Sequence, residues 1–163
     1  MGHRRIGREC ALQMLYARDR VKATDKAAKA QLLYARDVGT ATDAEAVDIS
    51  DEEIRRAYWA MDEQAGKPRE FAEQLFTGVV GRLDELDRLI QEHAQNWQLG
   101  RMAAVDRNVL RLAAYELVSG GRSPVSAIIN EALELARKYS TQDSAQFVNG
   151  ILDSIRKNLP ENP

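Results

Sequence analysis

All four prolines of this 163-residue chain, and three of its ten glycines, fall in three short stretches, Gly66 to Pro68, Gly120 to Pro124 and Pro160 to Pro163. Proline and glycine interrupt helices, so these stretches punctuate a chain that is otherwise free to coil. Between them apolar residues recur every three or four positions rather than every two, which predicts an all-α fold. A chain of this length supports one domain, or two small packed halves, better than two independent domains. With 44% hydrophobic residues it can build a core, because folding at this size removes roughly 70% of the unfolded surface from water.

The clearest helix starts at Ser123-Pro124, an N-cap followed by proline at the first helical position. Val125, Ile128, Ile129, Ala132, Leu133, Ala136 and Tyr139 then form one stripe, with Asn130, Glu134, Arg137 and Lys138 opposite. Val105 to Leu117 is apolar around most of its circumference and is the expected central core helix. Phe71 to Trp97 is helical with a bend at Gly78 and Gly81, and Asp84, Glu85, Asp87 and Arg88 form its wet face. Arg8 to Val38 contains no glycine or proline and makes a helix of roughly 45 Å at 1.5 Å per residue, a break near Thr24-Asp25 being the alternative. Within it LYARD, Leu15 to Asp19, recurs as Leu33 to Asp37; a single pair reads as a local duplication rather than a repeat array. Gly39 to Ser50 is small, polar and acidic, an exposed loop before a helix capped by Ser50 or Asp51.

Several function classes drop out. The single cysteine, Cys10, forms no disulfide within the chain and no four-Cys zinc module, and suits a reducing, cytoplasmic setting. Its neighbours Ile6 and Met14 are apolar, a setting that disfavours a nucleophile. His3 and His93 lack partners at zinc-ligand spacing, and neither a phosphate-binding glycine loop nor a nucleophile elbow occurs. Non-catalytic function without metal or cofactor is the expectation. No apolar stretch approaches the roughly 20 residues needed to cross a bilayer, and no secretory signal begins the chain.

Twenty-three Lys and Arg against 25 Asp and Glu leave a formal charge of −2, so a basic surface must be local. Arg4, Arg5 and Arg8 concentrate three guanidinium groups at the start. At about 100° per residue Arg5, Arg8, Glu9, Leu12 and Tyr16 share one side of the first helix, while Ile6, Cys10 and Met14 lie on another. Near the other end Ser140-Thr141 caps a last helix whose stripe is Ala145, Val148, Leu152, Ile155 and Leu159. Phe147 falls off that stripe, on the side of Asp143, Gly150 and Ser154. It is either packed under a neighbour or exposed. Arginines that neutralise phosphates, with a ring that stacks an unpaired base, are the two elements that hold single-stranded nucleic acid. The arginines and Phe147 are expected on one shared outer surface.

Four segments together resemble the NusB family of bacterial transcription antitermination factors: RECALQMLY (Arg8 to Tyr16), VLRLAAYEL (Val109 to Leu117), IINEALELAR (Ile128 to Arg137) and FVNGILD (Phe147 to Asp153). The resemblance implies two perpendicular three- to four-helix bundles, an N-terminal one over about 1–81 and a C-terminal one over about 82–159. It also implies binding of boxA RNA together with NusE, the ribosomal protein that doubles as a transcription factor, within an RNA polymerase antitermination complex on ribosomal RNA operons. Matched position by position, Arg4, Arg5, Arg8, Arg137, Asp143 and Phe147 are the implied RNA-binding residues. Tyr16 and Asp106 are the implied contacts to NusE, where a carboxylate suits a basic ribosomal protein.

Two departures stand out. Additional residues, about 21–49, lie where the family has a short link; they extend the first helix, shield a surface or mediate self-association. Ile6 stands where the family often has a basic residue. Two rivals remain at this point. One is a helical homodimer without nucleic acid; the other is the RNA-guiding domain of certain ribosomal RNA methyltransferases, for whose cofactor-binding domain this chain has no room.

Overall fold

The computed structural model describes the backbone of residues 2–36, 49–120 and 123–160, and the side chains of those residues except 22–36. Among the described residues seven α-helices follow in order: α1 (His3–Arg36), α2 (Asp51–Ala60), α3 (Arg69–Gly81), α4 (Leu83–His93), α5 (Ala104–Val118), α6 (Val125–Tyr139) and α7 (Gln142–Lys157). Short 3-10 turns occupy Asp62–Gln64 and Leu99–Arg101. No strand occurs among the described residues, as the three-and-four spacing predicts. α1 runs through Thr24-Asp25 without a break. The second LYARD copy and the acidic loop fall largely outside the described residues.

Helix ends follow local chemistry. Ser50 accepts from the Glu53 amide while the Glu53 carboxylate accepts from the Ser50 amide, a reciprocal cap that starts α2. Thr141 accepts from the Ser144 amide and starts α7. Ser123 does not cap α6: its Oγ accepts from Arg4 and Arg8 instead. After α5, Gly120 adopts φ +66, a left-handed conformation that glycine enters without steric penalty.

Two compact units divide the chain. One comprises residues 1–13 with 66–163, the other 14–65. The start of α1 thus belongs with the larger unit. The reason is a set of ties from the first turns of α1: Arg5 to Glu131, Arg8 to Glu116, Lys138 to Glu9, and Gln13 to Tyr139. These also revise the predicted faces of α1, since Arg8 and Leu12 are buried while Ile6 is exposed.

In the larger unit α5 is the axis, with α3, α4, α6 and α7 packed on it. It buries residues all round, Val109, Leu110, Leu112, Ala113, Ala114 and Leu117 among them. Gly7 and Gly78 allow close approach: a Cβ on Gly7 would lie 2.5 Å from Phe71 Cδ1, and one on Gly78 would lie 2.2 Å from Tyr115 Cζ. On the wet face predicted for α4, Asp87 is an exception. It accepts both arms of the buried Arg111 guanidinium, at 2.7 and 2.9 Å. In the smaller unit Ile54 and Tyr58 are buried, Tyr58 meets Trp59 edge to face at 4.9 Å, and Arg18 pairs with Asp51 at 2.7 Å.

Candidate nucleic-acid interface

The three N-terminal arginines take three different roles. Arg4 is exposed, and its Nη1 donates to Ser123 Oγ at 3.1 Å. Arg5 forks onto Glu131 at 2.9 and 2.8 Å from the rim of α1. Arg8 is only 5% exposed. Its Nε and Nη2 donate to the two Glu116 oxygens at 2.9 and 2.8 Å, Nη2 also reaches Ser123, and the guanidinium lies 5.8 Å from the Phe71 centroid. Arg8, expected at the RNA surface, thus stands inside. In this structure its charge is spent inside, because a neighbouring buried carboxylate needs it. Sequence reading missed that partner, since Glu116 and Arg8 are far apart along the chain and either alone reads as a solvated charge.

Arg5 holds the Glu131 carboxyl below its ordinary value of 4.5, chiefly through the hydrogen bond, which outweighs the opposing effect of burial; the charges of Arg5 and Arg8 lower it further by smaller amounts. A carboxyl lowered in the folded state adds stability that is present above the ordinary value and lost as pH falls through the lowered one. Acidification below about pH 4.5 should therefore loosen the α1 start from α6. Amide hydrogen exchange of residues 3–7 should rise there more steeply in the wild type than in Glu131→Gln, which lacks this titration; identical profiles would contradict the coupling.

A second cluster gathers between the ends of α4, α5 and α7. Trp97, Arg101, Met102, Asp106, Asp143 and Phe147 line a cleft of about 350 Å³. Phe147 is half-buried, and its ring meets Trp97 edge to face, with centroids 5.4 Å apart and planes at 73°. Trp97 itself is 59% exposed. Its loop is held by Gln91, whose Nε2 donates to the carbonyls of Ala94 and Trp97 and whose Oε1 accepts from the Leu99 amide at 2.9 Å. Trp97 and Arg101 were not singled out from sequence. The available signal was a tryptophan in the polar run AQNWQLG, which offers no helical stripe to bury it.

Asp106, the other residue assigned to the protein partner, does not stand on an open surface. It is 7% exposed, and Oδ2 accepts from Ser144 Oγ at 3.0 Å. Ser144 is the residue whose amide Thr141 caps, so the start of α7 brings this hydroxyl to the carboxylate. Asp106 Oδ1 is shielded from solvent and has no hydrogen-bond partner. An acceptor buried without a donor costs about 1–3 kcal/mol. Asp143 is exposed at the cleft. Arg137 is exposed on α6 and pairs with Glu134 at 2.9 Å. Tyr16, in the smaller unit, is half-buried and accepts from Arg20 Nη1 at 3.1 Å.

Arg4 and Phe147 line different clefts. His3 and Arg4 line a separate cleft of about 520 Å³ with Glu70, Phe71, Tyr115 and Ser123, and the two clefts share no residue. Both belong to the larger unit.

An all-helical scaffold that displays Arg4 at one cleft and an aromatic pair at another is built for binding. The NusB family model matches residues 5–157, and the chain belongs to the NusB family. It is 40% identical over 161 residues to the transcription antitermination protein NusB of Geobacter sulfurreducens, covering 99% of each chain. Among solved structures it is similar to T. maritima NusB, with 32% identity, a TM-score of 0.68 and coverage of 97% of this chain and 92% of that one. A structure of antitermination factors NusB and NusE in complex with dsRNA shares the fold, with 23% identity, a TM-score of 0.72 and coverage of 98% and 99%. Antitermination is not catalysis, in keeping with the non-enzymatic reading. No helix among the described residues is long and apolar enough to cross a membrane.

Proposed function

We propose that this chain is a cytoplasmic RNA-binding antitermination factor that pairs with NusE to hold boxA RNA and suppress premature termination in ribosomal RNA operons. The observation that carries this reading is the end-to-end match to the Geobacter sulfurreducens antitermination protein. The NusB and NusE structure with dsRNA supplies the partners by analogy. Arg4, Arg5 and Arg137 lie near enough to the surface to neutralise phosphates, and Phe147 offers part of a ring for stacking. Asp143 is a polar contact beside it, and Tyr16 is a contact toward NusE. Two proteins on one RNA bind more tightly than either alone, because the second contact is made at high effective concentration.

Titration of a boxA-like RNA, with and without NusE, at about 50 and 200 mM salt tests this reading. Affinity should rise with NusE and fall with salt, with log K changing by about 0.7 per log unit of salt for each neutralised single-strand phosphate. Affinity independent of salt would contradict the arginine assignment. Phe147→Ala should weaken RNA binding by about 1–3 kcal/mol, the range for one stacked base, and shift the melting temperature little. A collapse of stability in that variant would instead make the ring a core residue.

A further inference from the structure

We infer that Ser123 is a positioning residue for RNA binding: its hydroxyl holds the exposed Arg4 guanidinium in place at its cleft without cancelling the charge. This role rests on the RNA-binding reading and adds to it the group that sets one arginine apart from its two neighbours.

Charge separates the three arginines. Arg5 is forked onto the Glu131 carboxylate and Arg8 onto that of Glu116. A guanidinium seated on a carboxylate has its positive charge offset before any phosphate arrives. Arg4 is different. Its Nη1 donates to a neutral hydroxyl at 3.1 Å, and no carboxylate among the described residues pairs with it. The charge is kept, and most of the guanidinium N–H donors stay open for a phosphate.

The hydroxyl is itself held on firm ground. Pro124 follows it and restricts the Ser123 backbone to extended conformations, and the Pro124 carbonyl accepts the Ile128 amide in the first turn of α6. A hydroxyl oxygen has two acceptor positions. On Ser123 the second takes Arg8 Nη2 at 3.1 Å, and Arg8 is locked on buried Glu116. Oγ therefore stands between a fixed cation and an exposed one. A long side chain held before its ligand arrives has less rotamer freedom to lose on binding. Glu70 and Glu116 line the same cleft as Arg4. Once the hydroxyl is removed these carboxylates compete for Arg4, and pairing there offsets the charge that a phosphate needs.

The experiment titrates a boxA-like RNA onto the full chain, with NusE present, at several salt concentrations. Ser123→Ala should weaken binding about threefold to tenfold. Ser123→Thr, which restores a hydroxyl, should bind within about twofold of the wild type. Ser123→Asp should pair with Arg4 and cancel its charge. That variant should bind more weakly than the wild type and flatten the slope of log K against log salt by about 0.7, the loss of one neutralised phosphate. In an Arg4→Ala background, Ser123→Ala should change RNA affinity by less than about twofold. Its effect on urea unfolding, which comes through Arg8, should be of similar size in both backgrounds.

An RNA effect of Ser123→Ala that persists undiminished without Arg4 makes the serine a structural prop acting through Arg8, and overturns the positioning role. So does a salt slope unchanged in Ser123→Asp, a measurement that keeps the test open if Ser123→Ala folds poorly. Equal binding by wild type and Ser123→Ala sinks the positioning role and leaves the RNA-binding reading standing. No binding of the RNA by the wild type with NusE sinks both.

Discussion

Arg8→Ala is expected to lower folding stability by about 3–5 kcal/mol, the cost of stranding one member of a buried ion pair. Both side chains are almost closed to water, and Glu116 receives two arms of the guanidinium at 2.8 and 2.9 Å. Alanine leaves the Glu116 carboxylate without its counter-charge and empties the space over Phe71. Ser123 loses one of its two donors, so the turn before α6 loosens as well. Urea unfolding checks the size of the loss. A paired replacement, Arg8→Met with Glu116→Leu, should recover most of it, because an apolar pair of similar volume needs no charge compensation. A loss below about 1 kcal/mol for Arg8→Ala would mean that the pair behaves as a surface pair open to water. RNA affinity of the folded Arg8→Ala protein should fall far less than that of Arg4→Ala, since Arg8 offers no free guanidinium.

Phe76→Ala should cost about 3–5 kcal/mol, the usual penalty for emptying a phenylalanine site in a packed core. The Phe76 side chain is fully buried on α3, in the helix that packs against α5. Thermal unfolding should show a large drop in melting temperature, and RNA affinity of the remaining folded protein should be unchanged. Phe147→Ala should give the reverse pattern, because that ring keeps a face at a cleft. If both variants lose stability alike, the distinction between core ring and cleft ring fails.

The helical architecture was legible because periodicity is a local property. α5 was recognisable from apolar residues all round, and α6 and α7 from one-sided stripes, since burial acts on each turn separately. The caps at Ser50 and Thr141 were legible for the same reason: a hydroxyl reaches an amide only three residues on. Phe147 was legible as an odd residue, because it breaks the stripe of its own helix. Ser123 was read as a cap and proved to be an arginine acceptor, because its competitor for the hydroxyl comes from the far end of the chain.

Nothing local distinguishes Arg8 from Arg5, or Asp106 and Asp87 from any solvated carboxylate. What separates them is which helix arrives opposite: α5 brings Glu116 to Arg8, α7 brings Ser144 to Asp106, and α5 brings Arg111 to Asp87. The order of residues by itself therefore determined that the chain is helical, where α2 and α7 begin and which family it belongs to. Only the tertiary structure decided which charges are buried and paired, that the basic start and Phe147 line separate clefts, and that Trp97 joins Phe147. Coulomb and stacking contacts act over a few ångströms in space, and the chain closes those distances only when it packs.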